Sequence, residues 1–156
     1  MQIRQPVPED HQRIVKVVKE WWGGRDLSSG VLKIFFYHFR ETCFIAEDNG
    51  KLAGFLLGFL SQTYSDEGYI QLAGVHPEFR EIGVGRSLYA EFFDVCRANS
   101  RSIVRSCTSP VNTLSIAFHA SMGFSIEDGD DIVAEIPVTH NYLSEGQPKV
   151  LFMRKL

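Results

Sequence analysis

The chain has no run of five or six like charges, and its 16 basic and 19 acidic groups leave a formal net charge of -3. That absence removes a basic nucleic-acid arm and a polybasic membrane anchor from consideration. No uninterrupted apolar run approaches the roughly 20 residues of a membrane-spanning helix. Nor does a basic stretch followed by an apolar core and a small-residue cleavage site open the chain. The expectation is a soluble, cytoplasmic protein. Only three cysteines occur, Cys43, Cys96 and Cys107, widely separated and without a Cys-x-x-Cys pair. They read as buried thiols in a reducing compartment rather than as metal ligands. Internal repeats and low-complexity tracts are missing as well. What remains, 156 residues of which 44% are hydrophobic, suits a single globular domain over residues 1–156.

Hydrophobic periodicity places the elements. A short strand over residues 1–6 precedes a helix on which Ile14, Val18 and Trp22 recur at helical spacing, ending at Gly23-Gly24. Val31, Leu32, Phe35, Phe36 and Phe39 predict a second helix. Two apolar runs, 43–47 and 52–60, flank Asp48-Asn49-Gly50-Lys51, a strong hairpin signal. Another strand over 69–75 is closed by His76-Pro77, and Val84, Leu88, Phe92 and Val95 stripe a helix reaching about Ala98. A strand at 102–107 comes next. Leu114, Phe118 and Met122 mark the apolar face of a short helix ending at Gly123, and strand-like segments follow at 124–127, 132–136 and 150–153. The summary order is βααβββαβαββ.

Two constellations carry chemistry. Arg80-Glu81-Ile82-Gly83-Val84-Gly85 joins a strand to a helix, a place where free backbone N–H groups and the helix dipole converge on one point. Gly83 and Gly85 let phosphate approach the main chain, and Arg80 and Arg86 add positive charge at the rim. A lone Gly-x-Gly is equally a plain strand-to-helix turn, so its context decides. Gly83-Val84-Gly85-Arg86-Ser87 lacks the lysine of a P-loop, and Leu88 stands where a dinucleotide fingerprint needs a small residue. Asn112, Ser115 and His119, spaced i, i+3 and i+7, share one helix face. Such a stripe is often merely solvated.

Together, residues 75–85 (VHPEFREIGVG) and Asn112-x-x-Ser115-x-x-Phe118-His119-x-x-x-Gly123-Phe124 resemble the GNAT superfamily of N-acetyltransferases. The resemblance implies an α/β (α+β) fold with a mixed, mostly antiparallel sheet of six to seven strands and four flanking helices. It implies acetyl-CoA as cosubstrate and no metal. The pantetheine would pair with the backbone near Ala73 and Val75, with Asn112 and Ser115 beside it. The pyrophosphate would rest on Ile82, Gly83, Val84, Gly85, Arg86 and Ser87, with Arg80 nearby. The Val75 backbone N–H, at the bulged end of its strand, would stabilise the oxyanion.

The sequence departs from the family at the acid that protonates the leaving thiolate. His119 stands where tyrosine is common, so His119 is the catalytic candidate, with Ser115 and Tyr89 as substitutes. Gln71 replaces a glutamate found in some relatives, leaving Glu67, Asp66, Glu47 or His76 as bases acting through water. On the acceptor side, Trp22-Gly23-Gly24-Arg25-Asp26 forms a recognition surface in which Trp22 supplies a wall, Arg25 binds a carboxylate and Asp26 an ammonium. The long 137–149 connection is either a flap over the acceptor or an ordinary loop. The expected activity is acetyl transfer to the amine of a small molecule, amino acid or peptide, with no nucleic-acid or membrane partner. Resemblance to the family makes a homodimer reasonable. A non-catalytic acyl-CoA-binding or sensing module is the alternative.

Overall fold

The structure, a computed structural model, describes residues 1–156. Strand β1 (Gln2–Arg4) leads into helix α1 (Asp10–Trp21) and helix α2 (Ile34–His38), and β2 (Phe44–Asp48), β3 (Lys51–Leu60) and β4 (Glu67–Val75) form a meander. Helix α3 (Val84–Ala98), β5 (Ile103–Thr108) and α4 (Thr113–Ser121) follow. The chain finishes with β6 (Ser125–Ile126), β7 (Asp131–Val133), β8 (Ile136–His140) and β9 (Pro148–Lys155). The strands lie in the order β1-β2-β3-β4-β5-β9-β8-β7, with β6 also on β9. The β4–β5 pair is parallel and every other pair is antiparallel. The mixed, mostly antiparallel sheet with four helices is therefore present, with nine strands.

Alternation along the strands buries both faces of the sheet. On one face α3 sets Leu88, Phe92 and Cys96 against Ile70, Val104 and Phe152. On the other, Ile14, Val18 and Trp21 of α1 meet Phe36, Ile45, Phe55 and Leu57. A side chain such as Phe92, fully buried, contributes about 3–5 kcal/mol judged by truncation to alanine.

Three local expectations change. The segment 132–136 is two strands, because Ala134 and Glu135 both take positive φ, 48° and 66°, and reverse the chain between Val133 and Ile136. The same two-residue reversal at Asn49-Gly50 was legible because its residue types favour it. The second helix is only five residues long, preceded by a 3-10 turn at Ser28–Gly30. Burial of Val31, Phe35 and Phe36 on the α1 side organises this segment, while Leu32 and Ile34 stay exposed. Finally, β8 and β9 take up both ends of the expected 137–149 connection, and the loop itself is residues 141–147.

Candidate active site

Two breaks in the sheet prepare a cleft. The β3–β4 register runs from Leu57↔Leu72 to Gly58↔Ile70, so Gln71 bulges from β4. The parallel β4–β5 ladder ends at Ile70↔Ser106. There the Ser106 hydroxyl donates to the Ile70 carbonyl at 3.1 Å, closing the crotch of the V. Beyond it the two strands part. His76 N–H bonds the Ala53 carbonyl at 2.9 Å, which places Gly74 and Leu72 in the same outward register toward β3. The amides of Ala73 and Val75 therefore face the gap, where an extended amide-bearing ligand can pair with them as an added strand. The bulge lies at Gln71, four residues before Val75, which corrects the expected position.

At the mouth of the gap, Gly83 takes φ 92° and caps α3 without a side chain. Only glycine holds that angle without strain. The first bond of the helix, Ser87 N–H to Gly83 carbonyl at 3.0 Å, leaves the amides of Val84, Gly85 and Arg86 without intrahelical partners. Their dipoles make a cradle for an anion. A Cβ on Gly85 would stand 3.2 Å from the Phe118 ring, so Gly85 also lets α4 close against α3.

These features border one cavity of about 930 Å³. Ala73, Val75, Arg80 and the residues Gly83, Val84, Gly85 and Arg86 line it, as do Asn112, Ser115, His119, Trp22 and Arg25. Ile82, Ser87 and Asp26 do not. Ile82 is 66% exposed. The Asp26 carboxylate accepts the Ser28 amide at 3.0 Å just before the 3-10 turn and lies outside the cavity lining. Arg80 is not a free rim charge either: its guanidinium donates to the carbonyls of Val75 and Trp21, tying β4 to the end of α1. Asn112 caps α4 by accepting the Ser115 amide at 3.3 Å and donates to the Thr108 hydroxyl at 3.2 Å. Trp22 lies over Gly74, where a Cβ would approach its ring to 2.4 Å.

His119 departs most from expectation. The polar stripe of α4 is not its outer face: His119 is 4% exposed, whereas Leu114, assigned to the core, is 74% exposed. The imidazole stacks on Phe152 with ring centroids 4.1 Å apart. Its Nδ1 is 2.8 Å from the Ser115 carbonyl, an acceptor, so Nδ1 carries the proton. Nε2 then accepts from the Tyr89 hydroxyl at 3.1 Å. Burial pushes the His119 pKa down to about 4 against the opposing pull of the Ser115 carbonyl. At neutral pH the ring is uncharged with both nitrogens engaged, so a protonated His119 is not the ready acid the sequence suggested. Tyr89, whose pKa burial raises, keeps its proton.

None of the candidate bases borders the cavity. Glu67 pairs with Arg105 at 2.9 Å, and Glu47 with Arg4 and Arg13. The His76 Nδ1 accepts the Glu78 amide, and the Asp66 side chain is exposed. Glu81 is the single carboxylate in the lining. The structure adds Ser106, Cys107, Ser109, Leu143 and Lys149, which no sequence motif marked. They reach the cavity through strand pairing and the 141–147 loop, contacts between segments distant in the chain.

A mixed sheet parted at its parallel pair, beside a glycine-capped helix that begins with free amides, defines an acetyltransferase fold. Residues 7–124 match the acetyltransferase (GNAT) family, and the chain belongs to that family. An L-2,4-diaminobutyric acid acetyltransferase of Nocardia farcinica (strain IFM 10152) is 26% identical over 120 residues. The match covers 77% of this chain and 62% of that protein, so the chain spans less than two thirds of that relative's length. Ard1 from Thermoplasma volcanium superposes with a TM-score of 0.79 at 22% identity, over 99% of this chain and 97% of that one. The diaminobutyrate acetyltransferase EctA from Paenibacillus lautus, solved with L-2,4-diaminobutyric acid and coenzyme A, gives 0.72 at 20% identity over 97% and 92%. No helix is long and apolar enough to cross a membrane.

Proposed function

We propose that residues 1–156 form one acetyltransferase domain that moves an acetyl group from acetyl-CoA directly to the amine of a small molecule, amino acid or peptide. The observation that carries this reading is the coincidence of the β4–β5 gap with the free amides at the start of α3. The gap fits a pantetheine arm and the amides fit its pyrophosphate, with Arg86 adding charge at the rim. Family membership and the coenzyme A present in the EctA structure support the same ligand.

In this scheme the amine enters from the Trp22 side of β4 and attacks the thioester carbonyl. An amide facing the gap, from Ala73 or Val75, polarises the carbonyl oxygen. The carbon–sulfur bond breaks, the thiolate takes one proton from the hydroxyl of Ser115 or Tyr89, which His119 positions, and the attacking nitrogen releases its surplus proton to solvent water, from which the hydroxyl is reprotonated. The protein acts in the cytoplasm, with no nucleic-acid or membrane partner, and a homodimer remains part of this proposal from family resemblance.

Release of free CoA from acetyl-CoA across an amine panel is the deciding measurement. Turnover with any amine supports transfer; coenzyme binding without turnover supports the sensing module, which the neutral His119 favours. By calorimetry, Gly85→Glu abolishes acetyl-CoA binding in this scheme. Because Gly85 touches Phe118, exposed Arg86→Glu provides the partner variant and weakens binding about tenfold without disturbing that contact. Unchanged affinity in Arg86→Glu together with retained binding in Gly85→Glu would place the coenzyme elsewhere.

A further inference from the structure

Resting on the transferase reading, we propose that the acceptor carries a carboxylate beside its amine, and that Lys149 and Arg25 hold that carboxylate on the face of β4 and β5 opposite α3. The charges bordering the cavity divide by location. Arg80 and Glu81 in the turn into α3 and Arg86 in its first turn belong to the coenzyme end. Lys149 and Arg25 belong to the other face. Val150 packs in the α3-side core, so its neighbours Lys149 and Leu151 turn away from α3. Cys107, the register partner of Leu151, turns the same way and also lines the cavity. The connection bearing Arg25 crosses this face too, from Trp22 on Gly74 to Gly30 beside Leu72.

Neither cation has an anionic partner within the chain. The half-buried Lys149 ammonium has only the Ser109 hydroxyl, at 3.4 Å, and the Arg25 guanidinium forms no hydrogen bond. Glu67 and Glu127 pair with Arg105, and the single carboxylate lining the cavity, Glu81, belongs to the turn into α3. A partly desolvated ammonium without a counter-charge is stabilised when a ligand supplies one. The same two charges repel acceptors whose second group is another ammonium. Trp22, Leu27 and Leu143 leave an apolar wall for the acceptor's carbon chain.

The test compares amino acids with their carboxamides and with aliphatic diamines, by CoA release. The expected result is a kcat/KM at least tenfold higher for the acid than for its carboxamide, although the carboxamide's amine deprotonates more readily. In Lys149→Gln the preference falls toward one, through KM for the acid, while Lys149→Arg retains it. A thermal shift with acetyl-CoA establishes that both variants are folded. Carboxamides or diamines turned over as well as the acids would overturn the proposal while leaving the transferase intact. An acid preference that persists undiminished in Lys149→Gln would overturn the role of Lys149. Absence of CoA release with every amine, despite acetyl-CoA binding, would remove the transferase reading and this inference with it.

Discussion

At the scale of single residues, His119 shows how burial overrides a motif. Its spacing from Asn112 and Ser115 was readable, but the orientation of α4 was not. The helix lacks a strong apolar stripe, so contacts with Phe152, Phe124 and Tyr89 decide which side faces inward. A folded-state pKa near 4 against an ordinary 6.5 means that the unfolded chain binds a proton first as pH falls. The stabilisation is complete above about pH 6.5, declines between there and pH 4, and amounts to about 3 kcal/mol. Urea midpoints between pH 7 and 4.5 should therefore fall, and His119→Phe should flatten that part of the profile. An equal slope in the variant would assign the effect to other groups. The variant's kcat separately tests whether the imidazole positions Tyr89 and Ser115.

Among elements, a charged cluster joins the first strand, first helix and β2. Asp10, 1% exposed at the start of α1, accepts from Arg4, from the Val7 amide and from Arg13, and Glu47 of β2 binds both arginines. Burial alone would raise the Asp10 pKa, but these donors outweigh it and hold the carboxyl below its usual range. Asp10→Ala should cost about 3 kcal/mol in chemical denaturation, toward the low end for a broken buried pair because both arginines keep contact with water. A loss below about 1 kcal/mol would show that the cluster holds nothing together. The hairpin Asn49-Gly50 and the turn through Gly83 were legible, because positive φ selects those residue types. The reversal at Ala134-Glu135 was hidden for the converse reason: neither residue announces a left-handed backbone, and pairing of β7 with β8 imposes it.

At the scale of the whole molecule, the cleft exists because β4 and β5 pair for only four residues before parting, and a ligand that bridges them should stabilise the fold. Acetyl-CoA at 100 times its Kd adds about 2.7 kcal/mol, or roughly 5–10 °C in Tm for a domain of this size. No shift at saturating coenzyme would count against both the transferase and the sensing module. Residue types alone account for the four helices, the antiparallel hairpin at Asn49-Gly50 and the glycine turn that begins α3, because periodicity and φ preference are local properties, while the mostly antiparallel sheet followed from resemblance to the family. Tertiary structure alone decided that His119 is buried and neutral, that Arg80 and Asp26 are held by backbone groups, and that Lys149 reaches the cavity. Burial, desolvation and the pairing of distant strands arise only when segments far apart in the chain come together.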